Sequence, residues 1–329
     1  MSRAKTVILL VAGISLIMVM VHLAGAGAIV DVVSHADPII VLAAVCEVAA
    51  LLLWSLRWKV LLTPFQSVSF KNVVEGLLIG IFFSNITPVA RTGGEPFRAY
   101  YLGKKENMPV EDVFATIVVD RMLDSIPFLV IISISLVYFT LRMEISTQML
   151  IILTLIFFLN LVILSLVLYF SFNVKAAKKL VNSILRFFSR FFKRAETYQS
   201  RMEAAVDEYH DAIKKYSVQK KNLALSVIIS FVFWGFLLLR NYCVIEALGY
   251  HLPIMGVAVV QTAGPLVGII PLLPGGVGSV DGTMVFLYIS FHFSSAAAVS
   301  VSLVDRFVSF WAPTVVGGIC VFMERDFLE

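Results

Sequence analysis

Two short segments hold residues whose types and spacing suit chemistry. In the first, Arg91, Glu95 and Arg98 bracket the pair Gly93-Gly94. Guanidinium forks bind phosphate oxygens two at a time, so Arg91 and Arg98 suit a phosphate, while Glu95 can pair with either arginine or take up a proton. In the second, Pro274-Gly275-Gly276 and Gly278 precede a single acid, Asp281. Its glycines allow the backbone to approach a ligand or another helix closely. An acid in so apolar a setting is costly unless paired or wetted, which gives Asp281 a functional default. Two further charged pairs, Asp120-Arg121 and Asp305-Arg306, are set in apolar runs. Adjacent residues on a helix do not face each other, so each pair is expected to reach a neighbouring segment: Asp120 to Arg91 or Arg98, and Arg306 to Asp281. Each pattern also has a plain structural alternative. Arg91 and Arg98 suit membrane-edge anchors, Gly275 and Gly276 suit helix packing, and the Asp-Arg pairs suit fixed ion pairing.

These patterns are one pattern written twice. Arg57 recurs as Arg240, Pro88 as Pro271, Gly93-Gly94 as Gly275-Gly276 and Val119-Asp120-Arg121 as Val304-Asp305-Arg306, always 182–185 residues on. Four ordered matches at a nearly fixed offset mark an internal repeat of a helix, a Gly/Pro-broken segment and a second helix.

The elements that position them lie in a membrane. With 329 residues, 59% hydrophobic and 15% charged, and a mean hydropathy of +0.92, the chain has too much apolar surface for one soluble core. Runs long enough to cross a hydrocarbon layer of ~30 Å lie near Thr6 to Val30, Pro38 to Leu62, Val113 to Leu141, Met149 to Ser171, Leu223 to Leu248 and Ala296 to Phe322. The first lacks a small-residue cleavage site and is expected to stay as a helix. Two broken stretches, Val73 to Leu102 and Ile254 to Ile289, are expected to be re-entrant hairpins. With six crossings and two hairpins, Arg3, Lys5, Arg57, Lys59, Lys71, Lys104, Lys105 and the segment 173–221 share one face, cytoplasmic by the positive-inside rule, as are both termini. The two copies then insert upside-down relative to each other. The expectation is one all-α polytopic membrane domain over 1–329, with inverted repeats at 38–141 and 223–323.

Between the repeats, Asn173 to Lys221 holds twelve Lys and Arg against five Asp and Glu, a net +7. Leu180, Ile184, Phe187, Phe188, Phe191 and Phe192 recur there at helical spacing, as in a helix lying on an anionic leaflet; a plain basic loop is the alternative. Cys46, Cys243 and Cys320 fall in spans without paired spacing, the five histidines form no metal-ligand pattern, and no phosphate loop precedes a Lys-Ser or Lys-Thr. Disulfides, metal, cofactor, nucleic acid and direct use of ATP are therefore not expected.

At the two glycine segments the sequence resembles the lysylphosphatidylglycerol synthase transmembrane family, also called flippase-like or UPF0104. The first family pattern, Arg-x-Gly-Glu-x-x-Arg, is matched by Arg91, Gly93-Gly94, Glu95 and Arg98 with one extra residue after Arg91. The second, Pro-Gly-Gly-x-Gly and then an acid, is matched by Pro274, Gly275, Gly276 and Gly278, with Asp281 where Glu is usual. The resemblance covers about Pro38 to Phe322 and implies lipid translocation without the soluble synthase domain of larger relatives.

The combined expectation is a plasma-membrane protein, not an enzyme, that moves an anionic phospholipid or a polyprenyl-phosphate-linked lipid between leaflets. Arg57, Arg91 and Arg98 would hold phosphate from one side, Arg240 and Arg306 from the other. Glu95, Asp120, Asp281 and Asp305 would compete for those arginines or carry protons, with Arg121, Gly93, Gly94, Gly275 and Gly276 completing the site. Two other classes stay open: a membrane-embedded transferase with Glu95 or Asp281 as general base, and a carrier for a small soluble anion. Self-association is left open.

Overall fold

A backbone surrounded by hydrocarbon must satisfy its own N–H and C=O groups, and among the described residues all regular structure is helical. The computed structural model describes residues 26–87, 93–142, 147–189, 199–216, 219–267 and 274–324, with Met18 and His22. The helices are α1 (Ala26–Ser34), α2 (Ile40–Leu62), α3 (Phe70–Ile86), α4 (Glu95–Glu106), α5 (Val110–Arg142), α6 (Thr147–Phe172), α7 (Val174–Ser189), α8 (Gln199–Tyr216), α9 (Lys220–Ala247), α10 (Ile254–Val267), α11 (Ser279–Ser290) and α12 (Ser295–Arg306). A π-helical turn, Phe307–Trp311, carries α12 into α13 (Ala312–Met323). Pro313 lacks the N–H that would close the turn before it, and the widened turn sits at that break.

Among the described residues, five stretches are long and apolar enough to cross a membrane: Ile40–Leu62, Val110–Leu141, Leu150–Phe172, Lys220–Ala247 and Ser295–Met323. They correspond to five of the six expected spans. The sixth, Thr6 to Val30, lies outside the described residues except for Met18, His22 and the start of α1.

The centre of the molecule is the pairing of α2 with α9. Thr63 meets Asn222 at one end (2.9 Å), Trp54 meets Phe233 and Arg57 meets Ser230 further along, Glu47 meets Arg240, and the Asp37 N–H reaches the Ala247 carbonyl at the far end (2.7 Å). Residue numbers rise along one helix as they fall along the other, so the two helices run antiparallel.

Both broken stretches double back. Along the first, Ser84 meets Gly94, Gly80 faces Arg98, Glu75 accepts from Tyr101, and Asn72 and Ser69 donate to Glu106. Helices α3 and α4 are therefore antiparallel arms that begin and end at the face where α2 ends and α9 begins. The second stretch begins and ends at the opposite face, where the Tyr250 ring packs at a tilt against Phe293 with ring centroids 5.4 Å apart and Tyr288 packs on the same ring. Its arms meet where Gly264 lies against Met284 and Val280. The far ends of the two hairpins touch: a Cβ on Gly275 would lie 2.7 Å from the Asn85 carbonyl. Gly275 has φ +59, a left-handed conformation for which glycine has no steric penalty.

The helix expected within the basic segment is α7, and a second helix, α8, follows it. Helices α7 and α8 pair through Lys178 with Asp207 (2.7 Å) and Asn182 with Glu203 (2.8 Å). Four of the segment's five acids lie on α8, and two of them, Glu203 and Asp207, meet α7. Helix α8 also buries Ala212, Ile213 and Tyr216 against Ala115, Val119 and Leu123 of α5. Phe191 and Phe192 lie outside the described residues, as do the side chains of Ile184, Phe187 and Phe188.

Candidate functional site

Charge buried in a medium of low dielectric must find its opposite, and this chain does so in two clusters. The first gathers on α2, α4 and α5. Arg57 donates through Nε to Asp120 (2.7 Å) and through Nη1 to Asp124 (3.0 Å) and to Ser230 of α9 (2.8 Å). Arg98 makes longer contacts, 3.4 Å each, to Glu95 and Asp120. Arg121 donates through Nε to Glu95 (2.8 Å), with a second short contact to the same oxygen from Nη2. Three arginines therefore face three acids: Glu95, Asp120 and Asp124. Two tryptophans complete the wall. Arg98 stacks on Trp58 with its guanidinium carbon 3.8 Å from the ring centre, and Trp54 lies near both Arg98 and Arg121 while donating its indole N–H to Asp120 (2.7 Å). A hydrogen bond to a buried carboxylate contributes about 1.5–3 kcal/mol, so Trp54→Phe, which keeps most of the ring area, is expected to lose that much in denaturant unfolding. Loss of less than about 0.5 kcal/mol would mean that Asp120 does not depend on the indole.

The second cluster is built on α9, α11 and α12. Arg240 donates to Asp305 (3.1 Å), to Glu47 of α2 (2.7 Å) and to Gln261 of α10 (3.1 Å). Arg306 donates to Asp281 (3.1 Å) and to the Gly275 carbonyl (3.4 Å), and stacks on Phe310 at 3.9 Å. Two arginines here face three acids. The excess is eased because Asp281 sits in the first turn of α11 and accepts the Gly278 N–H (2.7 Å), at a helix end that favours negative charge. Glu95 holds the same place in the first turn of α4.

The clusters share one wiring. Arg57 to Asp120 matches Arg240 to Asp305, and Arg121 to Glu95 matches Arg306 to Asp281. The cross-links between copies match as well: Arg57 bonds Ser230 and Arg240 bonds Glu47, and both Arg57 to Arg240 and Glu47 to Ser230 are steps of 183 residues. A contact made reciprocally by equivalent positions is what a two-fold relation produces. Because Arg57 lies level with Ser230 on α9, ten residues from Arg240, the clusters are offset by about 15 Å along the helix axis.

The structure thus brings together Arg57, Glu95, Arg98, Asp120 and Arg121 in one group, and Arg240, Asp281, Asp305 and Arg306 in another. Gly94 lies between the arms of the first hairpin, and Gly275 and Gly276 lie at the end of the second. Arg306 meets Asp281 as expected. Asp120 meets Arg98 as expected but is held more closely by Arg57. Glu95 pairs with Arg121 and, at 3.4 Å, with Arg98, while Arg91, Pro88 and Pro271 lie outside the described residues. Gly93 begins the described turn into α4. The sequence reading missed Asp124, Trp54, Trp58, Ser230 and Gln261. Asp124 had a signal, since it stands four residues after Asp120 on the same helix face.

A cavity of 790 Å³ lies apart from both clusters, between α9 and the start of α10. Gly235, Leu238, Leu239 and Ile254 line its apolar part, and Tyr242, Glu246 and His251 its polar end.

Comparison with known proteins gives this architecture a family. Residues 6–317 match the lysylphosphatidylglycerol synthase TM region. The chain is similar to a UPF0104 membrane protein of Methanothermobacter thermautotrophicus, 33% identical over 96% of this chain and 94% of that one. It is also similar to UPF0104 membrane proteins of Pyrococcus horikoshii (31%, over 98% of both chains) and Methanocaldococcus jannaschii (28%, over 98% and 95%). No solved structure matches. With five helices among the described residues long and apolar enough to cross a membrane and a family match over nearly its whole length, the chain is a multi-pass membrane protein belonging to the lysylphosphatidylglycerol synthase transmembrane family.

Proposed function

We propose that this protein passes a phosphate-bearing lipid, an anionic phospholipid or a polyprenyl-phosphate-linked one, between the leaflets of the plasma membrane. The observation that carries the reading is the pair of arginine–carboxylate clusters wired alike, about 15 Å apart in depth, beneath two hairpins that enter from opposite faces and touch at their far ends. A headgroup leaving one cluster meets the same chemistry at the other. Carboxylates already bonded to the arginines are replaceable by phosphate oxygens of the same charge, so passage needs exchange of partners rather than exposure of bare cations.

The lateral groove between α9 and α10 supports a lipid over a small soluble anion. Its apolar part lies on a membrane-spanning helix whose neighbouring Leu239 and Ile254 are exposed, where hydrocarbon is the available occupant. The positive-inside rule places the face bearing Lys59, Lys71, Lys104, Lys105, Lys220 and Lys221 in the cytoplasm, and with it both termini. The activity is transport, without covalent change to the lipid.

The test is reconstitution into vesicles with fluorescent or short-chain lipids, under imposed proton and sodium gradients. Movement of one phosphate-bearing class well above empty vesicles, with unaltered lipid mass, is the expected result. No acceleration of any class under any gradient ends the reading, and a change of lipid mass replaces it with the transferase.

A further inference from the structure

The residue that departs from the shared wiring is Arg98. Since Glu95 corresponds to Asp281, 186 residues on, the position equivalent to Arg98 is Met284, which is buried in the apolar core against Gly264. The four other arginines have equivalents in the opposite copy and hold their acids at 2.7–3.1 Å. Arg98 has no equivalent. Its two ion contacts are both 3.4 Å, and its Nε–H, fully buried, has no partner among the described residues. It is held in place mainly by Trp58 beneath it and by burial, at 1% exposure. A second buried donor in the same cluster, Nη2 of Arg57, also lacks a partner among the described residues, and Asp120 links the two side chains by bonding Arg57 with one oxygen and Arg98 with the other.

Buried N–H groups without acceptors are costly, more so when charged, and an incoming oxyanion removes that cost. We propose that Arg98 is the residue of the first cluster that captures the phosphate, with Nη2 of Arg57 as second donor, and that Arg121 holds the helices rather than the cargo. Phosphate oxygens replace the two 3.4 Å carboxylate contacts of Arg98 and leave the 2.7 Å bond between Arg57 and Asp120 in place. The ligand chemistry is a phosphate oxyanion, and the inference rests on the carrier reading only for the phosphate's lipid origin.

The experiment follows unfolding of the full chain in detergent against inorganic phosphate and, separately, against a short-chain phosphatidylglycerol. Wild type is expected to be stabilised by the lipid in a saturable way. Arg98→Gln is expected to abolish that shift, and Arg98→Lys, which keeps charge but loses the fork, to raise the half-maximal concentration about tenfold or more. Arg121→Gln should unfold earlier but keep the ligand's shift. If Arg98→Gln does not fold, Arg98→Lys decides, alongside an arginine Nε–H NMR resonance that should move on lipid addition in wild type and be missing in that variant. Wild-type affinity in Arg98→Lys, or loss of the shift in Arg121→Gln with retention in Arg98→Lys, overturns the assignment. Equal, Arg98-dependent stabilisation by inorganic phosphate supports the site and makes the cargo a soluble anion. Lipid movement that persists in Arg98→Gln removes this assignment and leaves the carrier reading intact.

Discussion

Replacing Asp120 with alanine is expected to cost about 3–5 kcal/mol, because it leaves buried positive charge without its shared counter-ion. Asp120 is fully buried and serves Arg57, Arg98 and Trp54 at once. Without it Arg57 retains Asp124 and Ser230, whereas Arg98 keeps only its 3.4 Å contact to Glu95. The cluster changes from three arginines and three acids to three and two, around Arg57 and Arg98, which are both buried. Asp305→Ala should be milder, since Arg240 keeps Glu47 and Gln261 and the second cluster begins with an extra acid. The double variant Asp120→Ala/Arg57→Met should be less destabilised than the sum of its singles, because the second change removes a charge that the first left unpaired. Unfolding of wild type, Asp120→Ala, Arg57→Met, Asp305→Ala and the double variant in one detergent checks this. Asp120→Ala with wild-type stability would mean that the cluster is wet and its charges are screened by solvent.

Much of this arrangement is legible in the sequence for one physical reason. A charged residue in an apolar run is expensive, so it stands out and must have a partner. Arg57, Asp120, Arg240, Asp281 and Asp305 could be singled out on that ground, and the offset of 182–185 residues relates one set to the other. The hairpins are legible because Pro and paired Gly interrupt runs that would otherwise continue as helix. Which acid meets which arginine is not legible. The bond from Arg57 to Asp120 spans 63 residues and depends on α2 lying beside α5, a fact of packing that no local pattern encodes. Trp54, Trp58 and Ser230 are unremarkable in an apolar helix until a neighbouring helix supplies their partner. In the basic segment, charge and helical aromatics pointed to a helix, which α7 is, while its pairing with α8 through contacts such as Lys178 with Asp207 is a fact of packing that the local pattern does not encode.

The other large effect is expected at Gly94, where the reason is space alone. Its φ of −86 and ψ of −14 are ordinary for any residue, so alanine meets no backbone penalty there. A Cβ, however, would overlap the Gly80 carbonyl and lie 2.5 Å from the Ser84 hydroxyl that accepts the Gly94 N–H. A backbone carbonyl in mid-helix cannot turn aside as a side chain can, so the arms of the first hairpin must separate. Separation carries Glu95 and Arg98 away from Arg121 and Asp120, adding lost ion pairing to overpacking. Gly94→Ala is therefore expected to lose roughly 3 kcal/mol or more, at or beyond the upper end for an added methyl group. Gly27→Ala is the control, since nothing lies within 4 Å of a Cβ there, and it should stay within about 0.5 kcal/mol of wild type. Equal unfolding of the two variants would show that α3 and α4 do not meet backbone to backbone. The expected difference would place the first cluster's geometry under the control of a contact made by atoms that carry no charge.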